Sequence, residues 1–469
     1  MRWGRFDNRL HHSGLLYSVL GMITGGLCFG VTIWWAFSRT YGVRPEPAGA
    51  GELLRIVGSV VVAVFGLVTV VVTYRRQRDS ERGRFAQIFG AAAKQLGDTD
   101  VAVRIAGVYA MAGVADEFRS HGRRQQCVDV LCGYLRLPFD AEGGADHLVS
   151  RKESVEESEV KVERTYQFRQ NDSEVRGTIV RVIAARLLRS AEISWSHCDF
   201  DFTGAVLDQL DLRHAVLSGR HISFARCRFL GATQFEHATF DGPHTTFRGA
   251  VFKGGPVSFE QARFGAARPE RSESRGTGTI FDEAVFEGQV SFEGAIFRGP
   301  RTQFQGTRFL GSRTAFLETA FRAEQTSFER AGLDGEHIVF RAAEFSGATI
   351  TFTGAQFYAA TTTFDEARIG AAPRLRARAT RETDFRRAEF HGSLTFARTV
   401  FAGRAVDFTE ADFFGEISFA QTKFAATDIR FDRPKAWVGT RFDWDDNPLA
   451  KPAVVKPNPW PPTPTDPTR

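Results

Sequence analysis

The side chains of this chain that could bind or react are few and widely spaced. His121, Cys127 and Cys132 lie near one another, and an imidazole with two thiolates would suit zinc. The two cysteines share a helix face only approximately, and no second Cys or His pair completes four ligands, so buried thiols are expected and a metal is not. The five cysteines, Cys28, Cys127, Cys132, Cys198 and Cys227, are scattered and odd in number, which argues against a disulfide framework and fits a reducing compartment. No phosphate-binding glycine loop, nucleophile elbow, HExxH helix or Cys-pair array is present. The sequence therefore predicts no enzyme activity and no cofactor.

Arginine carries most of the remaining chemistry, since only 8 of the 60 basic residues are lysine. One cluster, Arg75, Arg76 and Arg78, continues to Arg82 and Arg84 directly after an uncharged run. It is a candidate contact for anionic lipid headgroups, and more simply a topology signal. Two further clusters, Arg268, Arg271 and Arg275 in AARPERSESRGTGT and Arg374, Arg376, Arg378 and Arg381 in AAPRLRARATRET, are candidate contact surfaces, although arginine-rich exposed corners are more often only solvated.

The elements that must position these clusters announce themselves by a beat. A large apolar residue recurs every five residues, then every six or seven, then every five again, as in Phe281, Phe286, Phe292, Phe297, Phe304, Phe309, Phe316, Phe321, Phe328, Leu333, Phe340, Phe345, Phe352 and Phe357. A small residue often stands two positions earlier, as at Ala284, Ala295, Ala343, Ala355 and Thr399, and in an extended segment it shares the inward side with the large one. Two positions after many of these residues stands glycine, at Gly242, Gly249, Gly254, Gly288, Gly299, Gly311, Gly335, Gly347 and Gly392, which is expected to supply turn dihedrals at corners. Grouped by fours from Phe202 to Phe424, the beat makes nine coils, and the interruptions at 265–280 and 370–384 both fall between groups. Such a period means a solenoid. At about 4.8 Å per coil it would form a rod about 43 Å long.

These repeats resemble those of pentapeptide-repeat proteins, with a small residue at the second position before Leu or Phe. The resemblance implies an all-β right-handed quadrilateral β-helix over residues 190–435 and says little of function. KQLGDTDVAVRIAGVYAMAGVAD is similar to the helical segment that precedes the repeats in membrane-anchored members, and somewhat to a single HEAT-type unit.

Before the repeats the chain reads as a cytoplasmic N-terminus (1–13), a two-helix transmembrane hairpin (14–37 and 53–74), a small α-helical segment (83–140), an exposed linker (141–173) and a capping helix (174–189). After them, 436–469 reads as a proline-rich disordered tail, with Trp437, Phe442 and Trp444 available to cover the last coil. Arginine around the two spans predicts that both termini are cytoplasmic in a multi-pass protein of the cell membrane. Gly21, Gly25, Gly26 and Gly30 could pack one helix on another within the hairpin or between copies.

The expected function is a non-catalytic, membrane-anchored scaffold offering a rigid cytoplasmic rod to an unknown cytoplasmic protein, with the lipid bilayer as a second partner and a homo-oligomer as a third. The resemblance also suggests mimicry of nucleic acid towards a topoisomerase. Residues 190–435 hold 30 Lys and Arg against 31 Asp and Glu, a net of −1, whereas mimicry needs a strongly acidic rod, so a nucleic-acid role is not expected. An oligomeric channel component is the other alternative, but neither span carries a charge that would mark a polar path.

Overall fold

The computed structural model describes residues 49–118, 120–139, 150–157, 160–167, 171–265, 278–371 and 381–465, with isolated positions between 31 and 39. Contacts divide the chain into two compact units, Met1–Ile88 and Phe89–Arg469.

Helix α1 (Gly49–Leu96) runs 48 residues without a break. Val60, Val62, Phe65, Leu67 and Val70 on it are exposed. Among the described residues it is the one helix long and apolar enough to cross a membrane. The expected first span, and with it the two-helix hairpin, lies outside the described residues apart from isolated positions. The expected gap between the second span and the helical segment is absent: residues 75–96 contain no proline and are rich in Arg, Gln and Ala, so the helix continues to Leu96. There Gly97 donates its amide to the Ala93 and Lys94 carbonyls.

Helices α2 (Val101–Glu117), α3 (His121–Leu135) and α4 (Asp172–Leu187) form a bundle. Asp100 caps α2 by accepting the Ala102 amide at 2.8 Å. Val108, Met111, Leu131, Leu135, Ile179 and Ile183 fill its core. A buried ionic knot ties the three helices: Asp172 accepts from Arg104 at 2.6 Å and from Arg176 at 2.9 Å, and Tyr134 donates its hydroxyl to the same carboxylate.

The segment expected as a linker instead contains an antiparallel hairpin, β1 (Ser150–Glu157) with β2 (Val160–Gln167). Val160, Val162 and Tyr166 alternate with charged residues, a period of two that suits a strand although total hydrophobicity is low.

From Phe200 onward the chain winds through short parallel strands, each bonded, until the last turn, to the fourth before and the fourth after it. Four sheets of eleven, nine, ten and nine strands result. They are numbered here by the order in which the chain meets them, at Phe200–Asp201, Val206–Leu207, Leu210–Asp211 and Val216–Leu217. Register keeps like on like: Phe286 pairs with Phe309, and Phe297 with Phe321. Phe281, Phe286, Phe292, Phe297, Phe304, Phe309, Phe316, Phe321, Phe340, Phe345, Phe352 and Phe357 are all buried. Against the first sheet, Phe224, Phe247, Phe281, Phe304, Phe328, Phe352, Phe385, Phe408 and Phe431 stack face to face, with centroids 4.7 to 4.9 Å apart and planes within 6°. Rings from the third sheet meet this column edge-on, as Phe292 meets Phe281 at 5.7 Å and 90°. Where threonine replaces alanine two positions earlier, its hydroxyl is satisfied internally: Thr307 donates to the Phe281 carbonyl and Thr319 to that of Phe292, both at 2.8 Å.

The corner glycines serve a different purpose from the one expected. Of the nine, only Gly249, Gly254 and Gly299 take positive φ. The others are small because coils touch there: a Cβ on Gly311 would lie 2.0 Å from the Gly288 carbonyl oxygen. Left-handed backbone occurs instead two residues after core positions of the first and third sheets, often at non-glycine residues such as Glu283, Glu318, Arg330 and Arg398.

The tail is ordered through Thr465 and extends the solenoid past the expected nine coils. Asp428–Arg430 joins the first sheet, Trp437 bridges to Phe413, Thr440–Arg441 joins the third sheet, and Val455–Lys456 ends the first. This makes about ten turns. Aromatic area explains the order: Trp460 stands edge-on to Phe442 at 5.0 Å and to Phe431 at 5.8 Å, so burial of large rings outweighs the cost of ordering a proline-rich segment.

Candidate interaction edges of the solenoid

With the interior filled, side chains capable of recognition stand on the outer faces and corners. Both insertions leave from the corner between the fourth and first sheets, four coils apart. Gly265 (φ +82°) and Gly370 (φ +75°) start them, each so close to the next coil that a Cβ would lie 2.3 Å from a carbonyl oxygen, of Arg298 and Ala402 respectively. Arg268, Arg271, Arg275, Arg374, Arg376 and Arg378 lie outside the described residues. Arg381 returns the chain to the first sheet, and its carbonyl accepts the Arg404 amide at 2.8 Å. Arg298, Arg301, Arg322 and Arg404 stand along the same corner, Arg322 3.3 Å from Glu344 and Arg404 3.7 Å from Glu382. This is an arginine edge.

From the sixth coil on, the corner between the second and third sheets has the opposite character. Tyr358, His391 and Phe414 each stand one residue beyond a core phenylalanine of the second sheet, so the coil register superimposes them. Their rings stack at 4.2 and 4.5 Å. Tyr358 is 44 % exposed and Val438, next along the ladder, 46 %. The Tyr358 hydroxyl donates to Glu389 at 2.8 Å, and that bond holds its pKa above the ordinary value. Asp334, Glu336, Glu389, Asp412 and Glu416 surround the stack, with Arg308 and Lys435 each 3.7 Å from one of the buried or half-buried carboxylates. Corner residues 334–336, 358–360, 389–393 and 412–416 contain no arginine or lysine. Sequence reasoning passed over this ladder because it followed the core residues. The available signal was the off-beat position of Tyr358, His391 and Phe414 at a constant offset.

The remaining candidates are separate. Arg75, Arg76 and Arg78 are exposed on α1 just past its uncharged stretch. Cys127 and Cys132 are buried on α3, and burial pushes the Cys127 thiol up to about 12 and that of Cys132 higher still, so both stay protonated near neutral pH. Among the described residues no group of three or more His, Cys, Asp or Glu is placed to hold a metal. His221 and His244 stack at 4.7 Å on the first sheet, and burial holds the His244 imidazole below its ordinary range.

A family model described as pentapeptide repeats (9 copies) matches residues 224–268. No curated protein and no solved structure matches the chain. The matched segment covers coils two and three and the beginning of the first insertion. The parallel four-strand winding is the same on both sides of it.

Proposed function

We propose that the chain is a non-catalytic, membrane-anchored scaffold whose solenoid presents its edges to a protein partner on the cytoplasmic side. The observation that carries the reading is the closed interior. Core rings stack from end to end, the helical bundle covers one end and the tail the other, so the varied polar chemistry is outside. A β-solenoid supplies long, rigid surfaces for such contacts.

Anchoring is supported by the exposed apolar stretch of α1 and by the arginines that follow it. In this reading residues 14–37 form a partner span, both termini face the cytoplasm, and Arg75, Arg76 and Arg78 meet anionic headgroups at about 1 kcal/mol per charge. The test uses the full chain with a reporter fused after Arg469, expressed in cells. Retention in the membrane pellet after alkaline wash, with the reporter shielded from external protease, is expected. Release by the wash would refute the anchor, and cleavage of the reporter in intact cells would refute the orientation. Affinity capture of the detergent-solubilised chain tests the scaffold itself: recovery of neither a specific protein nor a second copy would sink it.

A further inference from the structure

We propose that the acidic aromatic edge docks a basic segment of a partner protein, the apolar stems of its arginine or lysine side chains lying on the ring stack and their charged heads on the carboxylates beside it. The inference deepens the scaffold reading, on which it rests, by naming the partner's chemistry and the edge that receives it. Position in the coil singles this edge out. The residue after each second-sheet core position stands outside the core and changes along the rod: Lys253, Glu287, Leu310 and Asp334 in coils three to six, then Tyr358, His391, Phe414 and Val438 in coils seven to ten. Only in those last four do consecutive coils all carry an aromatic or apolar side chain in this column. The fold does not require it, since Lys253 and Glu287 hold the same position in earlier coils. A contiguous apolar ladder left in water and rimmed by charge is the mark of a contact surface.

Charge decides the kind of partner. Asp334 and Asp412 already lie 3.7 Å from Arg308 and Lys435 respectively. Glu389 accepts the Tyr358 hydroxyl at 2.8 Å and lies 3.4 Å from His391, and among the described residues neither it nor the exposed Glu336 and Glu416 pairs with a lysine or arginine. These three carboxylates are therefore open to a cation brought from outside. The rings stack face to face at 4.2 and 4.5 Å, which leaves their edges for a partner, and Gly392, Gly415 and Gly439, each following a rung, have no side chain to shield them. Coils are about 4.8 Å apart. An arginine or lysine stem laid over the ring edges thus delivers its head to a carboxylate on the same coil or the next, and the guanidinium fork suits a carboxylate best. The same carboxylates would repel nucleic acid and anionic lipid. A second copy is a poor source of the cation, because Arg322 and Arg404 of the arginine edge already face Glu344 at 3.3 Å and Glu382 at 3.7 Å.

Photo-crosslinking of the full chain, expressed in the cells it comes from, tests this. In one protein p-benzoylphenylalanine takes the place of Phe414; in a control it takes the place of Arg322 on the fourth-to-first corner. Irradiation is expected to join position 414, and not position 322, to a protein segment in which lysine and arginine outnumber acidic residues, identified by mass spectrometry of the joined peptide. Adding Glu389→Gln/Glu416→Gln should lower that yield at least about tenfold, because the rings stay and the carboxylates go. Both substituted positions lie outside the packed interior, and unchanged thermal unfolding of each purified variant confirms that the fold is kept. A neutral or acidic joined segment overturns the inference, as does an adduct with a second copy, lipid or nucleic acid in its place. The same adduct in equal yield from position 322, or a yield that the two glutamine substitutions leave unchanged, also overturns it. Absence of any adduct at position 414 overturns it too, and a specific protein recovered by the affinity capture described above would then keep the scaffold reading while this edge loses its part in it.

Discussion

The two ends of the solenoid are closed by opposite means. At the start, α2, α3 and α4 meet the beginning of the solenoid through directed polar contacts. Gln125 exchanges two hydrogen bonds of 2.8 Å with the backbone of Asp199, and Asp116 accepts from Arg186 at 2.7 Å and from the Trp195 indole at 2.8 Å. Arg136 pairs with Asp201 on the first strand. At the finish, Trp437, Trp444 and Trp460 cover Phe413, Phe424 and Phe431, with strand pairing by Val455–Lys456. Apolar contact is non-directional, whereas hydrogen bonds to named backbone atoms set angle and register. The polar end therefore fixes how the helical bundle sits on the first coil, and the aromatic end only needs to exclude water from the last.

The sharpest way to break that comparison is to remove the carboxylate on which the helical cap depends. Asp172→Ala leaves Arg104 and Arg176 buried without their shared partner, and a loss of about 3 kcal/mol is expected by denaturant unfolding. Trp460→Ala removes a half-buried ring from the other end and should cost about 2 kcal/mol, less than deletion of a fully enclosed ring. If Trp460→Ala proved the costlier of the two, the polar cap would not be the stronger clamp.

How much of this could be read beforehand depends on whether a residue's reason is periodic. The inward phenylalanines recur at fixed spacing, so their sheets and coils were legible, as was a helix ready to cover the first coil. The glycines were legible as corners, but their cause was not: the contact of Gly311 with Gly288 arises from stacking between coils, which linear sequence does not display. The tail was misread because proline content describes local preference, while Trp437 and Trp460 act through contacts with rings some thirty residues or fewer away. The acidic aromatic edge lay within reach of the register and required only that the position after each second-sheet core residue be followed. The clamp between Gln125 and Asp199, 74 residues apart, has no periodic trace.

The smallest expected difference between the ends is in their response to acid. Asp428 begins the last full strand of the first sheet, and its ion pair with Lys456 on the neighbouring strand, 2.8 Å, together with a hydrogen bond from Arg430, holds its carboxyl below the ordinary 3.8. A depressed folded-state pKa contributes stability that is present above the unfolded value and is lost as pH falls through the folded value. The aromatic cap should thus loosen below about pH 4, where protonation of Asp428 removes the attraction that holds Val455–Lys456 in place. The partners are partly exposed, so the effect is small and screened by salt. Tryptophan fluorescence followed from pH 5 to pH 2 in wild type and in Asp428→Asn measures it. The wild type should show an added transition below pH 4 that the variant, already lacking the charge, does not. Identical profiles would mean that the rings hold the last strand without help from the ion pair, and the aromatic end would then be apolar in its energetics as well as in its composition.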